Sequence, residues 1–267
     1  MNELIGKRYN LCERLGNGNF GSVYKGKHYK NNTVVAIKFE DINSNIKLLR
    51  HETTILKYLY ERDTRNIPAV SWFGIHNHYT CLAMTLYECS LYDYVIAKGN
   101  LSVSKIHSII YQLVTILKSI HDNGVIHRDI KPQNFMWKAG ELYLIDFGFS
   151  TIFIDEDGEH VPDDCSEHII GSPKYVSYNI HTGSVSSRRD DLISLGYLYL
   201  FLHEKQLSWE NIGDDTSIND EYEETSIYHY KNILRQEMKQ ISNIDFTYTN
   251  HDHNLQNYLK YVYNLKS

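Results

Sequence analysis

Short runs of apolar residues, separated by Gly and Asn turns, fill the first third of the chain. Their length and alternation predict β-strands, whereas the apolar positions from Ile46 to Tyr60 recur at the spacing of one helix face. The pattern predicts an antiparallel sheet with one main helix after its third strand. The predicted strands are Tyr9–Leu15, Ser22–His28, Val34–Glu40, Ser71–His76 and Thr80–Tyr87.

Helical patterns dominate the rest of the chain. A long helix is predicted between Ser102, which can cap its start, and a stop at Gly124. The layout predicts an α+β fold, in which a small sheet region is joined around residues 88–91 to a larger, mainly helical region. Further helical segments are predicted at Asp191–Leu202, Asn232–Met238 and Asn254–Leu265.

Composition excludes several classes of protein. No apolar run approaches the roughly 20 residues of a membrane helix, and residues 1–10 carry charges where a secretory signal would be apolar. We therefore expect an intracellular protein, in the cytoplasm or nucleus, without a membrane anchor. A net charge of −6 gives no reason to expect direct nucleic-acid binding. The cysteines lack metal-binding spacing, so neither a zinc site nor a disulfide framework is expected.

A glycine-rich hexapeptide lies between the first two predicted strands, just before Val23. Its backbone amides, unobstructed by side chains, can cover the phosphates of a nucleotide. A simple hairpin turn explains the same residues equally well, because short glycine motifs often occur by chance. The hexapeptide is Gly16-Asn17-Gly18-Asn19-Phe20-Gly21.

Lys38 ends the otherwise apolar strand segment Val35–Lys38. A lysine in such a strand is costly to bury unless an anion meets its ammonium group. A nucleotide phosphate and a glutamate would meet that need, and Glu52 in the following helix is the predicted carboxylate. His51 and Glu61 are the alternatives, and a solvated helix position is the other interpretation of Glu52.

The octapeptide at residues 127–134, His-Arg-Asp-Ile-Lys-Pro-Gln-Asn, is the strongest chemical signal. Asp129 is predicted to accept the proton of an attacking hydroxyl, Lys131 to neutralise a phosphoryl group, and Asn134 to bind magnesium. Asp146 begins an Asp-Phe-Gly motif after a predicted strand, so a hairpin would return it to Asn134 at one metal site. A polar loop capped by Asp129 and an ordinary turn at Asp146 are the alternatives.

These motifs follow the order found in protein kinases, and the chain resembles the casein kinase 1 family over nearly its whole length. Residues 171–179 resemble that family's variant of the segment reading Ala-Pro-Glu in most kinases, and residues 186–197 resemble its C-lobe signature. The related vaccinia-related kinases usually carry glycine where Arg128 stands. The resemblance implies one bilobal kinase domain over residues 1–267, with an N-lobe of about 1–87 and a C-lobe of about 90–267 lacking the final helix.

The resemblance also implies binding of ATP and Mg²⁺. Met84 would lie at the back of the adenine pocket, backbone groups around Thr85–Leu86 would hydrogen-bond the base, and Asp191 would brace the catalytic loop. The residues assigned to ATP are Leu15, Gly16, Asn17, Gly18, Asn19, Phe20, Gly21, Ser22, Val23, Ala36, Lys38, Met84 and Leu86.

Two acidic runs depart from the family, whose basic residues near this region favour acidic or already phosphorylated substrates. No Lys or Arg lies between Thr151 and Pro173, and Lys174 is the remaining candidate for an anion contact. We expect basic or neutral peptides to be tolerated better than by ordinary casein kinase 1 enzymes, unless both runs are solvated loops. The runs contain Asp155, Glu156, Asp157, Glu159, Asp163, Asp164 and Glu167, and Asp214, Asp215, Asp220, Glu221, Glu223 and Glu224.

Together these features predict a serine/threonine protein kinase that transfers the γ-phosphoryl group of ATP to protein hydroxyls. Lys131, close after Asp129, favours Ser/Thr over tyrosine acceptors. A nucleotide-binding pseudokinase that acts as a scaffold is the alternative, and a small-molecule kinase of the aminoglycoside or choline type is a weaker one. The expected partners are ATP and protein substrates, the expected state is a monomer, and the composition fits a large DNA virus or an AT-rich microbe.

Overall fold

The chain divides into two compact units. The first contains the described residues up to Ser90 together with Phe135–Ser150, and the second contains Leu91–Asn134 and the described residues from Thr151 onward. The computed structural model describes residues 4–18, 21–154, 169–210, 224–244 and 252–266.

A five-stranded antiparallel sheet forms most of the first unit, as the alternating pattern predicted. Its strands are β1 (Tyr9–Gly18), β2 (Gly21–His28), β3 (Val34–Asp41), β4 (Val70–His76) and β5 (Tyr79–Thr85). They lie in the order β1-β2-β3-β5-β4. β1 extends past the predicted end into the glycine-rich turn, and β5 ends before the predicted Tyr87.

The main helix of this unit, α1, spans Leu48–Glu61. It was predicted from Ile46, but Ile46 is 64% exposed and lies before the helix. The carboxylate of Glu40 on β3 accepts hydrogen bonds from the backbone N–H groups of Leu48 and Leu49, at 2.8 and 3.1 Å. Because this carboxylate satisfies the first free amides of the helix, α1 begins there.

A small three-stranded sheet completes the first unit. It consists of β6 (Cys89–Ser90), β8 (Phe135–Lys138) and β9 (Glu141–Leu144), with β8 in the middle. After β9 the chain forms a 3-10 turn, Phe147–Phe149, which packs against α1. The hairpin therefore brings Asp146 into the same unit as β3 and α1.

The second unit is mainly helical. The predicted long helix begins where Ser102 accepts a hydrogen bond from the N–H of Lys105, at 3.2 Å. It ends at Asp122, and Gly124, just beyond, has a φ of +75°. A short ladder pairs β7 with β10, and α5 packs against α3 and α7. The elements are α2 (Leu91–Lys98), α3 (Val103–Asp122), β7 (Val125–Ile126), a 3-10 turn (Pro132–Asn134), β10 (Thr151–Ile152), α4 (Tyr178–His181), α5 (Arg188–Glu204), α6 (Glu224–Met238) and α7 (His253–Tyr263).

Within the described ranges, no helix combines the length and apolar character needed to cross a membrane. Of the described cysteines, Cys12 is exposed, Cys81 is buried and Cys89 is half-buried, and no disulfide joins these three. Several predictions fall on residues outside those ranges: Asn19, Phe20, Cys165, the acidic run 155–167, and the second acidic run up to residue 223.

Candidate active site

The glycine-rich turn joins β1 to β2, and the two strands remain paired as far as Gly18 and Gly21. Gly21 has φ +145°, and a Cβ there would lie 1.9 Å from the carbonyl oxygen of Phe39. Only glycine fits this position without moving the backbone. Of the residues that the structure describes, other than its two chain neighbours, none has an atom within 4 Å of a Cβ on Gly16. Packing thus accounts for Gly21 but not for Gly16, and phosphate binding by the turn stays a prediction.

Lys38 lies between two carboxylates in the first unit. Its Nζ donates to both oxygens of Glu52 at 2.9 Å and to Oδ1 of Asp146 at 2.8 Å. β3 supplies the lysine, α1 the glutamate, and the turn after β9 the aspartate. The expected contact between Lys38 and Glu52 is therefore present, and Glu52 is buried with 1% of its side chain exposed.

The electrostatics of this cluster keep Lys38 charged. Burial lowers the pKa of Lys38, but the charges of Glu52 and Asp146 outweigh burial and raise the pKa above its ordinary value. Burial raises the pKa of Glu52, and the Lys38 charge opposes that rise. Because two carboxylates share one ammonium group, the cluster fits a further cation, and Asp146 is the more exposed carboxylate at 15%.

Asp146 has a left-handed backbone conformation, with φ +69°. This conformation costs a non-glycine residue about 1–3 kcal/mol and persists where neighbouring contacts enforce it. Lys38 holds the side chain, and His51 on α1 donates from Nε2 to the carbonyl oxygen of Ser150 at 2.7 Å. His51, considered only as a substitute for Glu52, instead attaches α1 to the chain after Asp146.

The residues assigned to the adenine end of ATP lie on or just beyond the sheet. Ala36 and Met84 are direct neighbours across β3 and β5, and Met84 is buried in the apolar cluster beneath α1. Val23 lies on β2, Leu15 on β1 is 46% exposed, and Leu86 follows β5. This placement leaves their contact with ATP a prediction.

In the second unit, Asp129 is the centre of a polar cluster and is 2% exposed. Its Oδ1 accepts hydrogen bonds from the hydroxyl of Ser172 at 2.7 Å and from the Ser172 N–H at 3.0 Å. Its Oδ2 accepts from Nζ of Lys131 at 2.7 Å, and Lys131 also donates to the Ser172 hydroxyl at 3.0 Å. Asp129 and Lys131 are thus brought together around one aliphatic hydroxyl.

Asn134 completes this cluster from the 3-10 turn that follows the loop. Its Nδ2 donates to the carbonyl oxygen of Asp129 at 2.8 Å and to Oδ2 of Asp129 at 3.0 Å. Because the amide nitrogen makes both bonds, the side-chain carbonyl oxygen is the atom suited to a hard cation. Asn134 belongs to the second unit and Asp146 to the first, so their joint binding of magnesium stays a prediction.

Asp191, at the start of α5, makes the contacts expected of a brace. It accepts the backbone N–H groups of His127 and Arg128 at 2.8 and 2.9 Å, and Nε2 of His121 at 2.9 Å. Burial raises the pKa of Asp191, but the hydrogen bond and charge of His121, with those of His127, outweigh burial and hold the pKa below its ordinary value. A buried carboxylate therefore fixes the loop that carries Asp129.

The same loop closely approaches the segment that carries Ser172. Arg128 has φ +67°, and Gly171 has φ +101°. A Cβ on Gly171 would lie 2.3 Å from the carbonyl oxygen of Arg128, so only glycine allows the two segments this close. This approach places Ser172 against Asp129.

Ser172 and His121 are the site residues that sequence reasoning missed. Ser172 lies within residues 171–179, which were identified for their family resemblance, but its bond to Asp129 spans 43 residues of chain. His121 lies on the buried face of α3, with no sequence signal of its own. Lys174, the candidate anion contact, is in an ion pair with Glu210.

The chain matches a family model over most of its length. The model described as "Protein kinase domain" matches residues 9–263, which covers nearly all of the chain. This match confirms the predicted fold class, a small antiparallel sheet followed by a larger helical part. Among the described residues, no group of three or more His, Cys, Asp or Glu is arranged to hold a metal ion by itself, and magnesium in such sites relies on substrate phosphates and water as well.

Proposed function

Because the chain belongs to the protein kinase family, we propose that it is a serine/threonine protein kinase of the casein kinase 1 type. It transfers the γ-phosphoryl group of ATP to serine or threonine hydroxyls of proteins, inside the cell. The observation that carries this proposal is the Asp129 carboxylate, which already binds one aliphatic hydroxyl, that of Ser172, at 2.7 Å with Lys131 beside it.

The residues of the second unit act on the acceptor. Asp129 orients the acceptor hydroxyl and takes its proton as the oxygen bonds to the γ-phosphorus and the bond to the ADP oxygen breaks. Lys131 offsets the negative charge of the phosphoryl group during transfer. Asp191 keeps the loop in the geometry these roles need.

The residues of the first unit act on the nucleotide. Lys38 is held charged by Glu52 and Asp146, which suits it to bind ATP phosphates. Mg²⁺, held by Asp146 and Asn134, would supply charge neutralisation at those phosphates. Ala36, Met84 and the backbone near Leu86 would contact the adenine.

Peptides with neutral or basic residues around the acceptor are the proposed substrates. The acidic runs support this preference through repulsion of acidic peptides. The ion pair between Lys174 and Glu210 also supports it, because Glu210 already neutralises the remaining candidate for an anion contact. Glu210→Gln is expected to shift the preference toward acidic peptides.

The proposal is tested with the full chain, labelled ATP, Mg²⁺ and peptide libraries carrying a fixed Ser, Thr or Tyr acceptor. We expect transfer to Ser and Thr peptides, and a loss of at least about 100-fold in kcat for Asp129→Asn, because general-base catalysis contributes on that order or more. Asp122→Asn is the matched control, since Asp122 is an exposed helix-end aspartate paired with Lys118.

Four results would count against the proposal. Tyrosine acceptors used in preference would overturn the Ser/Thr assignment, and an Asp129→Asn variant as active as wild type would overturn the assigned base. Binding of Mg-ATP without any transfer would instead indicate a pseudokinase. A consistent preference for acidic or primed peptides would contradict the proposed substrate class.

A further inference from the structure

Lys239, the residue after α6, has a completely buried side chain. Its Nζ donates to the carbonyl oxygens of Pro173 and Val176, both at 2.7 Å, and lies 3.1 Å from Nε2 of His181. Three acceptors match the three N–H bonds of an ammonium group. The lysine thus bonds to both ends of the segment Pro173–Val176, which we call the docking segment.

Burial lowers the pKa of Lys239 well below its ordinary value, whereas its three acceptors and two nearby aromatic rings favour the charged form. The Nζ lies 5.3 Å from the ring centre of Tyr197 and 5.8 Å from that of Trp209, and aromatic faces attract cations at this range. Burial lowers the pKa of His181 to about 3, and the charge of Lys239 is the second cause of this shift. A neutral His181 ring can therefore accept the third hydrogen bond.

A second buried side chain holds the same segment. Nε1 of Trp209 donates to the carbonyl oxygen of Lys174 at 2.8 Å. Of the four carbonyl groups in the docking segment, three are thus bound by Lys239 and Trp209, which lie after α6 and after α5. Side chains remote in sequence set the backbone path of the segment.

The docking segment directly follows Ser172, which is bonded to the candidate base. The N–H groups of Tyr175 and Val176 donate to the carbonyl oxygen of Ser172 at 2.8 and 2.9 Å, and the Ser172 hydroxyl donates to Asp129. If Asp129 is the base, as proposed above, an acceptor hydroxyl must reach the same carboxylate. The residues beside that acceptor then lie against the docking segment.

We propose that Lys239 is a positioning residue for the protein substrate: its buried ammonium group holds the docking segment in the shape that receives the residues beside the acceptor hydroxyl. The inference rests on the proposed kinase function. It assigns no contact with ATP to Lys239, so acceptor binding and nucleotide binding should respond differently to its removal.

Lys239→Met retains an unbranched side chain of nearly the same length and removes the three donors. The carbonyl groups of Pro173 and Val176 then lose their partners, and the segment is expected to leave its present path to reach water. If the competent shape falls to about one-tenth of the population, the peptide KM rises about tenfold, equivalent to about 1.4 kcal/mol. We expect kcat to change by less than about threefold and the KM for ATP by less than about twofold.

The test measures these constants for wild type, Lys239→Met and the control Lys231→Met, which changes a lysine within α6, the helix that Lys239 follows. A variant that merely unfolds in part would lose kcat at constant KM, so the division between KM and kcat separates positioning from general destabilisation. Trp209→Phe is the second variant, because it removes the Nε1 donor, together with part of the buried ring. It is expected to raise the peptide KM by about threefold, and it carries the test if Lys239→Met does not fold.

Hydrogen exchange at the N–H groups of Tyr175 and Val176 provides a readout that needs no turnover. Both should exchange at least about tenfold faster in Lys239→Met, and faster in Trp209→Phe, with no change in Lys231→Met. If Lys239→Met folds and both its hydrogen exchange and its peptide KM are unchanged, the inference is overturned. If Lys239→Met does not fold, the same result in Trp209→Phe overturns it. A wild-type protein without transfer activity contradicts the proposed function instead, and exchange then decides the role of Lys239.

Discussion

Replacing Asp191 by asparagine tests how the loop carrying Asp129 is held. The carboxylate accepts three hydrogen bonds, from the N–H groups of His127 and Arg128 and from Nε2 of His121. Asparagine has nearly the same shape, but its Nδ2 is a donor and would face one of these three donors. At least one buried N–H group then loses its partner.

The expected magnitude follows from that loss. A buried donor left unpaired costs about 1–3 kcal/mol. The left-handed backbone conformation of Arg128 costs about 1–3 kcal/mol as well, and the hydrogen bond to Asp191 is one of the contacts that maintain it. We expect Asp191→Asn to lower the free energy of unfolding by about 2–4 kcal/mol. Displacement of Asp129 by as little as about 1 Å should lower kcat about 100-fold.

The dependence of stability on acid pH provides a second test of Asp191. The pKa of Asp191 lies below its ordinary value, so the ionised carboxylate stabilises the folded protein at neutral pH. That contribution is present above about pH 4 and is lost as the pH falls through the lower pKa of the folded state. The unfolding free energy should therefore fall less steeply with acid in Asp191→Asn than in wild type.

The assay combines urea unfolding at several pH values with kcat measured on a Ser peptide. Asp122→Asn is the control, because its exposed ion pair should contribute less than about 1 kcal/mol. A folded Asp191→Asn variant with stability within about 0.5 kcal/mol of wild type, and with kcat within about twofold, would refute the reasoning.

Two further predictions concern backbone packing and the start of α7. Gly21→Ala should lower the unfolding free energy by at least about 1–3 kcal/mol, because its Cβ would collide with the carbonyl oxygen of Phe39. Gly16→Ala should stay within about 0.5 kcal/mol in the same urea titration, and equal effects would contradict the packing argument. Asp252→Asn should cost about 1–3 kcal/mol and speed hydrogen exchange at the start of α7, because Asp252 caps that helix and accepts from His203. Unchanged exchange there would show that the cap is dispensable.

Some features of the molecule were determined by the sequence alone. The sequence predicted the strands of the sheet and the helix that ends near Gly124, because period and capping are local properties of the chain. It also identified the spacing of Asp129, Lys131 and Asn134. The pairing of Lys38 with Glu52 was also predictable, since a buried ammonium group requires a carboxylate and the next helix offers few.

Only the tertiary structure decided which distant residues meet. The start of α1 depends on Glu40 of another element, Ser172 reaches Asp129 across 43 residues, and Lys239 reaches Val176 across 63. No local pattern encodes such contacts, because they arise from how helices and strands pack after each has formed. The candidate catalytic residues thus lie in short motifs, whereas the backbone path of the docking segment is set by buried side chains remote in sequence.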